Sequence, residues 1–383
     1  MSKVKLSDVA IEHKETCKGS KDGYPIVGLE HLVPEEVTLT AWGEGSDNTF
    51  TKMFRKGNVL FGRRRAYLKK AAVAPFDGIC SGDITVIEAI PDHILPELLP
   101  FIIQNDELFD FAVGKSAGSL SPRVKWEHLK NYEFELPDMD KQRELAELLW
   151  AMDATKKSYQ KLIAATDELV KSQFMEQFSM SQAESNGWSI VPVSSVVIKP
   201  LSGEWGQEDT DGTGVKVLRT TNFTDSGFID YTEVVRRSIE LKKVEAKALR
   251  DGDILIEKSG GSDTKPVGRV VFYQETSENF LFNNFTALLR PNTPNLNSRF
   301  LFTFLFVTYW NGGTKLYENK TTGIHNLKLA DYLVNTMIPI PPIEDQEVFA
   351  AFVEQSDKSK FELEQALSEL TATYKRIIAK NLG

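Results

Sequence analysis

The basic run Gly62–Lys70, GRRRAYLKK, is the segment whose side chains have the clearest chemical potential. Between Phe54 and Lys70 the sequence holds seven basic residues and no acidic one. Arginine can donate in pairs to guanine edges or phosphates, and lysine pairs with phosphate as a point charge. We interpret the run as a candidate DNA contact, with a solvated basic surface as the alternative. Its candidate side chains are Arg63, Arg64, Arg65, Tyr67, Lys69 and Lys70.

Two later loops, Lys115–Trp126 and Lys315–Lys328, are also small, polar and basic. Arginine bonded to guanine and asparagine bonded to adenine are the usual base-recognising pairs. None of these loops is specific alone, but their matching placement in two halves of the chain favours DNA contact. The candidates in these two loops are Lys115, Ser119, Ser121, Arg123, Lys125, Lys315, Asn319, Lys320, Thr322 and His325. Other polar segments add Arg219, Thr220, Asn222, Lys258, Ser259, Lys265 and Asn283.

Catalytic signatures are missing from the sequence. Lys258–Pro266, KSGGSDTKP, lacks the spacing of a phosphate-binding loop, and no Gly-x-Gly-x-x-Gly follows a strand-like segment. No Asn/Asp-Pro-Pro-aromatic motif is found, and the five histidines have no metal-ligand spacing. Acidic pairs at the predicted helix starts are better explained as caps and dipole partners than as catalysts. The sequence therefore predicts a non-catalytic chain that binds no metal and no cofactor.

Length and composition indicate more than one globular domain, since domains usually hold about 100–200 residues. The chain has 383 residues, of which 41% are hydrophobic and 26% charged. The net charge of −9 argues only weakly against nucleic acid, because binding depends on where charge lies. No apolar stretch has the length of a membrane helix and the start has no signal core, so we expect a cytoplasmic protein. Cys17 and Cys80 are too few for a disulfide framework.

One phrase occurs twice in the chain. Leu136–Asp153, LPDMDKQRELAELLWAMD, resembles Ile340–Asp357, IPPIEDQEVFAAFVEQSD, and Gln142 lies 204 residues before Gln346. Earlier segments recur in the same order, such as FRKGNVLF with LRDGDILI and KLSDVA with PVSSVV. This order indicates the internal duplication of a whole unit, whose copies should pack with approximate two-fold symmetry.

Each copy combines short β-branched runs bounded by Gly, Asp, Asn and Pro with one long helix. Apolar residues recur at three- and four-residue steps after each repeated phrase, in heptad-like spacing. Leu145, Leu148, Leu162 and Leu169 belong to the first stripe. We predict an α/β fold: two pseudo-two-fold-related mixed α/β domains joined by two long antiparallel coiled-coil helices. The alternative is that each stripe packs on its own globular domain.

The recurring unit resembles the DNA-specificity subunits of type I restriction–modification complexes over essentially the full chain. The resemblance is carried by GNVLFGRRRAYLKKAAVA, by GSLSPRVKWEHLKNYEFELP, and by DKQRELAELL with the long helix that follows. The second copy departs from the pattern: Glu347 stands where the first copy has Arg143, and SGGSDTKPVGRVVFYQETSENF is a longer insertion.

The resemblance implies a first target recognition domain at 1–137, a central spacer helix at 138–180, a second recognition domain at 181–341 and a C-terminal spacer helix at 342–383. It implies a role in phage defence, in which each domain recognises half of a bipartite asymmetric site in double-stranded DNA. The partners that the resemblance implies are two methyltransferase subunits, which hold S-adenosylmethionine, and restriction/translocase subunits, which use ATP and Mg. Two alternatives stay open: the specificity subunit of a type II bipartite-site enzyme, and a coiled-coil adaptor that binds no DNA.

Overall fold

A computed structural model describes residues 2–45, 48–274, 278–321 and 323–383. Its contacts divide the chain into two compact units: unit 1 holds Met1–Lys161 and Leu363–Gly383, and unit 2 holds Leu162–Glu362. Each unit contains one copy of the repeat and a part of both long helices. The domain boundaries taken from the resemblance therefore differ from this division, and they stay a prediction. Residues 275–277 of the longer insertion lie outside the described ranges.

The described residues of unit 1 form nine short strands, four short α-helices, one 3-10 helix at Ala66–Leu68 and parts of two long helices. Its sheets have the strand orders β2-β8-β5-β6, β3-β7-β4 and β1-β9. The strands are β1 (Ser2–Lys5), β2 (Ala10–Glu12), β3 (Ile26–Val27), β4 (Lys52–Phe54), β5 (Val59–Gly62), β6 (Ala71–Val73), β7 (Gly78–Cys80), β8 (Ile84–Ala89) and β9 (Glu133–Leu136). The short helices are α1 (Leu6–Val9), α2 (Leu99–Ile103), α3 (Asp106–Gly114) and α4 (Trp126–Leu129). The first long helix is α5 (Met139–Phe178).

Unit 2 repeats this plan with an added three-stranded sheet. Its sheets have the orders β11-β19-β15-β17, β12-β14-β13-β18, β10-β22 and β16-β21-β20. The helices are α6 (Met180–Asn186), α7 (Val193–Val196), α8 (Leu241–Lys247), α9 (Ser298–Trp310), α10 (Leu329–Asn335) and the second long helix α11 (Ile343–Leu382). The strands are β10 (Ser189–Pro192), β11 (Leu201–Ser202), β12 (Gln207–Glu208), β13 (Val215–Leu218), β14 (Val235–Ser238), β15 (Ile254–Glu257), β16 (Ser259–Gly261), β17 (Val270–Phe272), β18 (Phe280–Phe282), β19 (Thr286–Leu289), β20 (Glu318–Thr321), β21 (Ile324–Leu327) and β22 (Met337–Ile340).

The same local chemistry shapes the two copies. Before β5, the Arg55 backbone N–H donates to Asn58 Oδ1 at 2.8 Å; before β15, the Arg250 N–H donates to Asp253 Oδ2 at 2.7 Å. Each of these turns has a glycine at positive φ one residue before its acceptor, where other residues are strained. In each copy one parallel strand pair, β3 with β7 or β13 with β18, lies beside the antiparallel sheet. The predicted mixed α/β duplication is confirmed.

The central strand of each copy is buried on both faces. Val59 and Phe61 of β5 join one apolar cluster, whereas Leu60 between them joins a second. In β15, Ile254 and Ile256 likewise join one apolar cluster, and Leu255 between them joins another. Alternate side chains of a strand point to opposite faces, so a continuous apolar run fits a strand that lies between two cores. This central strand holds in place the polar residues that follow it.

The two long helices, each 40 residues in length, pack on the globular part of each unit and contact each other in unit 2. In unit 1, Phe101 of α2 lies 5.0 Å from the Trp150 ring of α5 and 6.1 Å from the Tyr374 ring of α11. In unit 2, the Lys360 ammonium bonds Asp167 at 2.6 Å, and the rings of Phe174 and Phe349 lie 5.5 Å apart. Residue numbers rise along one helix as they fall along the other, so the contact in unit 2 is antiparallel.

Part of the predicted apolar stripe is wrong. Leu148, Leu162 and Leu169 are 45%, 51% and 47% exposed, whereas Leu149 is fully buried. The sequence prediction placed the opposite helix over this stripe, with packing on the globular domain as the alternative. The globular part also packs on this helix, and the buried face holds Leu145 and Met152 of the stripe together with Leu149.

Gln142 and Gln346 explain the repeated phrase. Gln142 is 2% exposed; its amide oxygen accepts from the Leu95 N–H at 2.8 Å, and its amide nitrogen donates to the Pro137 carbonyl at 2.9 Å. Gln346 is fully buried and repeats both bonds with the Asn297 N–H and the Pro341 carbonyl, at 2.9 and 2.8 Å. An amide carries both a donor and an acceptor, which this site requires. Each glutamine therefore ties the start of a long helix to the globular part of its own unit.

Replacing Gln346 with glutamate is expected to lower the free energy of unfolding of unit 2 by about 2–4 kcal/mol at neutral pH. Glutamate keeps the shape of the glutamine side chain. It places a carboxylate oxygen, which can only accept, opposite the Pro341 carbonyl, and it buries a negative charge. Gln355→Glu, an exposed change on the same helix, is the matched control. Chemical denaturation with hydrogen exchange on unit 2 measures the difference; equal stability of the two variants contradicts the assigned role.

Candidate nucleic-acid interface

In unit 1 the basic run lies between two segments that are distant in the sequence. The Arg63 N–H donates to the Asp83 carbonyl at 3.0 Å, and the Val124 N–H donates to the Arg63 carbonyl at 3.0 Å. Arg64 and Ala117 each form an isolated bridge with Arg123. The end of β5, the turn after β7 and the loop before α4 therefore meet, and they bring together candidates that the sequence places about 60 residues apart.

Asp83 lies at the centre of this cluster. Its carboxylate accepts from Arg123 Nε at 2.7 Å and from Nη2 at 3.3 Å, and Arg64 Nη1 lies 3.5 Å away. Arg64 Nε also donates to Ser121 Oγ at 2.5 Å. The hydrogen bond from Arg123 holds the pKa of Asp83 below its usual range and raises the pKa of the arginine. The segment Phe54–Lys70 contains no acidic residue, but the fold places Asp83 beside Arg64.

The other unit 1 candidates differ in exposure. Arg65 and Tyr67 are exposed, and so are Lys115, Ser119 and Lys125. Lys69 bonds Asp106 at 2.6 Å, and Lys70 Nζ donates to the Leu29 carbonyl at 2.7 Å. Arg63 Nε is buried and has no hydrogen-bond partner among the described residues. The five exposed side chains are accessible to a ligand, whereas Lys70 supports the loop that follows β3.

Unit 2 repeats the backbone arrangement with other side chains. The Lys258 N–H donates to the Phe285 carbonyl at 2.7 Å, and the Leu327 N–H donates to the Lys258 carbonyl at 2.8 Å. Where unit 1 has isolated bridges, unit 2 has the sheet β16-β21-β20. Lys258 and Ser259 therefore correspond to Arg63 and Arg64. The fold brings the loop Lys315–Lys328 beside them, just as it brings Lys115–Trp126 beside Arg63 and Arg64 in unit 1.

Three unit 2 candidates lie inside the protein: Asn222, Asn283 and His325 are 3%, 4% and 5% exposed. The Asn222 amide accepts from the Arg219 N–H and donates to the Asp230 carbonyl, both at 2.9 Å. His325 Nδ1 lies 3.1 Å from a Glu318 carboxylate oxygen. Asparagine caps its own turn readily, which explains why a residue typical of base recognition is buried here.

The remaining unit 2 candidates lie closer to solvent. Burial lowers the pKa of Lys258, whose Nζ donates to Ser202 Oγ at 2.8 Å. Lys265 and Lys320 pair with Asp225 and Asp263 at 2.9 and 2.6 Å. The candidates that are exposed or half-buried are Arg219, Thr220, Ser259, Lys265, Lys315, Asn319 and Lys320. Thr322 lies outside the described residues.

Sequence reasoning missed Asp83 and Phe285. Both occupy turns with no unusual composition, and only the match between the two copies could have drawn attention to them. In the described part of the chain, no group of three His, Cys, Asp or Glu residues is placed to hold a metal ion. No described helix is long and apolar enough to cross a membrane.

Comparison with known proteins identifies the class. The profile of the family described as type I restriction modification DNA specificity domain matches residues 1–165 and 213–371, once in each copy. The chain belongs to this family. It is a DNA-specificity subunit of the type I class, which confirms the main prediction and favours neither alternative.

Particular relatives agree. A protein of Methanocaldococcus jannaschii described as a putative type I restriction enzyme MjaX specificity subunit is 20% identical over 409 residues, covering 95% of this chain and 90% of the relative. The type I restriction-modification system S subunit from M. genitalium matches with a TM-score of 0.59 at 13% identity, covering all of this chain and 96% of that one. A chain from a study of complex assembly and conformational transition of the type I R-M system matches with a TM-score of 0.58 at 21% identity, over 99% and 97% of the two chains. These structures share the fold.

Proposed function

We propose that the chain recognises a bipartite, asymmetric site in double-stranded DNA, and that each repeat contacts one half of it. The observation that supports this most strongly is the shared backbone arrangement of the two clusters. The same frame carries Arg64, Asp83 and Arg123 in unit 1 but Ser259, Phe285 and Asn326 in unit 2. One frame with different side chains is suited to two different base sequences.

In this proposal the exposed basic residues contact phosphates and position the protein, and the polar side chains near each turn contact base edges. The two long helices set the gap between the half-sites and dock two methyltransferase subunits. Restriction/translocase subunits join through the complex. The chain itself is not catalytic: S-adenosylmethionine belongs to the methyltransferase, ATP and Mg to the nuclease. Its proposed place of action is the cytoplasm.

Sequencing of modified bases tests the proposal. Cells that carry the chain and its methyltransferase should show modification at one bipartite motif, with an unspecified gap between two short sequences. Omitting the chain should remove this modification. Continuous palindromic modification, or modification that persists without the chain, contradicts the proposed function.

A further inference from the structure

The turns that follow β7 and β18 are equivalent. The Ser81 N–H donates to the Val27 carbonyl and the Asn283 N–H to the Leu218 carbonyl, both at 2.9 Å. A backbone hydrogen bond from the fourth residue to the first closes each turn. The Ile84 N–H donates to the Ser81 carbonyl at 3.0 Å, and the Thr286 N–H donates to the Asn283 carbonyl at 3.1 Å. The third residue of the turn is Asp83 in unit 1 and Phe285 in unit 2. One position of the fold thus carries a carboxylate in one copy and an aromatic ring in the other.

Asp83 fixes an arginine without covering it. The carboxylate takes the Nε and Nη2 donors of Arg123, whose side chain is 42% exposed, while that of Asp83 is 23% exposed. A guanidinium has five N–H donors, so the outer edge of the fork keeps donors for a second acceptor pair. Guanine offers such a pair at O6 and N7 in the major groove. Because Asp83 already holds the Arg123 guanidinium in place before DNA binds, less side-chain conformational entropy is lost when the contact forms.

Phe285 cannot act in the same way. Its ring has no donor or acceptor, and the residue is 50% exposed, although its backbone carbonyl accepts from the Lys258 N–H. An exposed apolar ring beside polar loops is suited to the methyl group that distinguishes thymine in the major groove. Neighbouring Asn283 is turned inward, so the ring is the exposed feature of this turn together with Asn284.

We propose that this turn position determines the base preference of each copy: Asp83 is a positioning residue that holds Arg123 for a guanine, and Phe285 contacts a thymine methyl. The inference rests on the proposed function and deepens it. It assigns guanine to one half-site through unit 1 and thymine to the other through unit 2.

The test uses the full chain in complex with its methyltransferase, and measures binding to a duplex library randomised at each base pair of the modified motif. Asp83→Asn keeps the size of the side chain but weakens its hold on Arg123. We expect the preference for guanine at one position of one half-site to fall about 5- to 100-fold, with the other half-site unchanged. Asp83→Glu, which keeps the carboxylate, should retain more of that preference. Phe285→Ala should lower a thymine preference in the other half-site about 5-fold or more.

Asp77→Asn is the matched control, because Asp77 also pairs with an arginine of unit 1, Arg55 at 2.8 Å, outside the cluster. Wild-type preferences at the remaining positions of the affected half-site show that the unit carrying the substitution is folded. Wild-type guanine preference in Asp83→Asn, or an equal change at every position of both half-sites, overturns the inference while the proposed function stands. A wild-type chain with no bipartite preference overturns both.

Discussion

Removal of residues 363–383 is expected to unfold unit 1 while unit 2 keeps its core. These residues supply Ile378 and Leu382, which are 4% and 0% exposed in the same apolar cluster as Leu145 and Phe101. Truncation of one buried aliphatic side chain to alanine costs about 2–5 kcal/mol, and whole domains are stable by only about 5–15 kcal/mol. Loss of these two side chains, together with the partly buried Tyr374 and Ile377, therefore removes stability comparable with all that a domain holds.

Hydrogen exchange on the chain that ends at residue 362 measures this effect. Protection should be lost across residues 2–161 and retained in unit 2. The double change Ile378→Ala and Leu382→Ala should produce the same pattern more weakly, whereas Glu364→Ala with Glu369→Ala, on the exposed side of α11, should not. If unit 1 of the shortened chain exchanges as slowly as in the full chain, α11 is not part of its core.

Replacement of Arg63, Arg64 and Arg65 by alanine is expected to weaken binding of bipartite DNA about 10- to 1000-fold through one half-site. Arg65 is exposed, and Arg64 lies within the Asp83 cluster. Each lost base contact is worth about 1–3 kcal/mol, and each lost phosphate contact lowers the dependence of log K on log salt by about 0.9. Base preference and salt dependence should therefore fall together.

Binding titrations at several salt concentrations, on duplexes altered in one half-site at a time, separate these contributions. Exchanging Lys3, Lys5 and Lys14 for alanine removes the same charge from exposed positions of the same unit and is the control. Equal losses at both half-sites contradict the proposed division between the repeats. A loss no larger than that of the lysine control indicates that the arginines form an ordinary solvated surface.

Local signals predicted the fold well. The repeated proline and glutamine marked the start of the long helix in each copy. Each glutamine side chain bonds only backbone groups, including the proline carbonyl, so the contact does not depend on which side chains lie nearby. The central strands were evident because a short apolar run bounded by glycine fits few other structures. The placement of side chains depended on contacts distant in the sequence. Neither the pairing of Asp83 with Arg123 nor the exposure of Leu148 can be derived from a neighbouring residue, since each is set by an element elsewhere in the chain.

The end of α11 also constrains the order of events during translation. Asn105 Nδ2 donates to the Leu382 carbonyl, and the Glu135 N–H donates to the Gly383 carbonyl, both at 3.1 Å. A ribosome that has finished residue 161 has made most of unit 1. It must add about 200 more residues before the remaining segment of unit 1, Leu363–Gly383, is synthesised. Closing so long a loop is slow compared with local folding. The first half of the nascent chain therefore waits, incompletely packed, until the second half has been synthesised, and an interrupted translation product lacks a finished first unit.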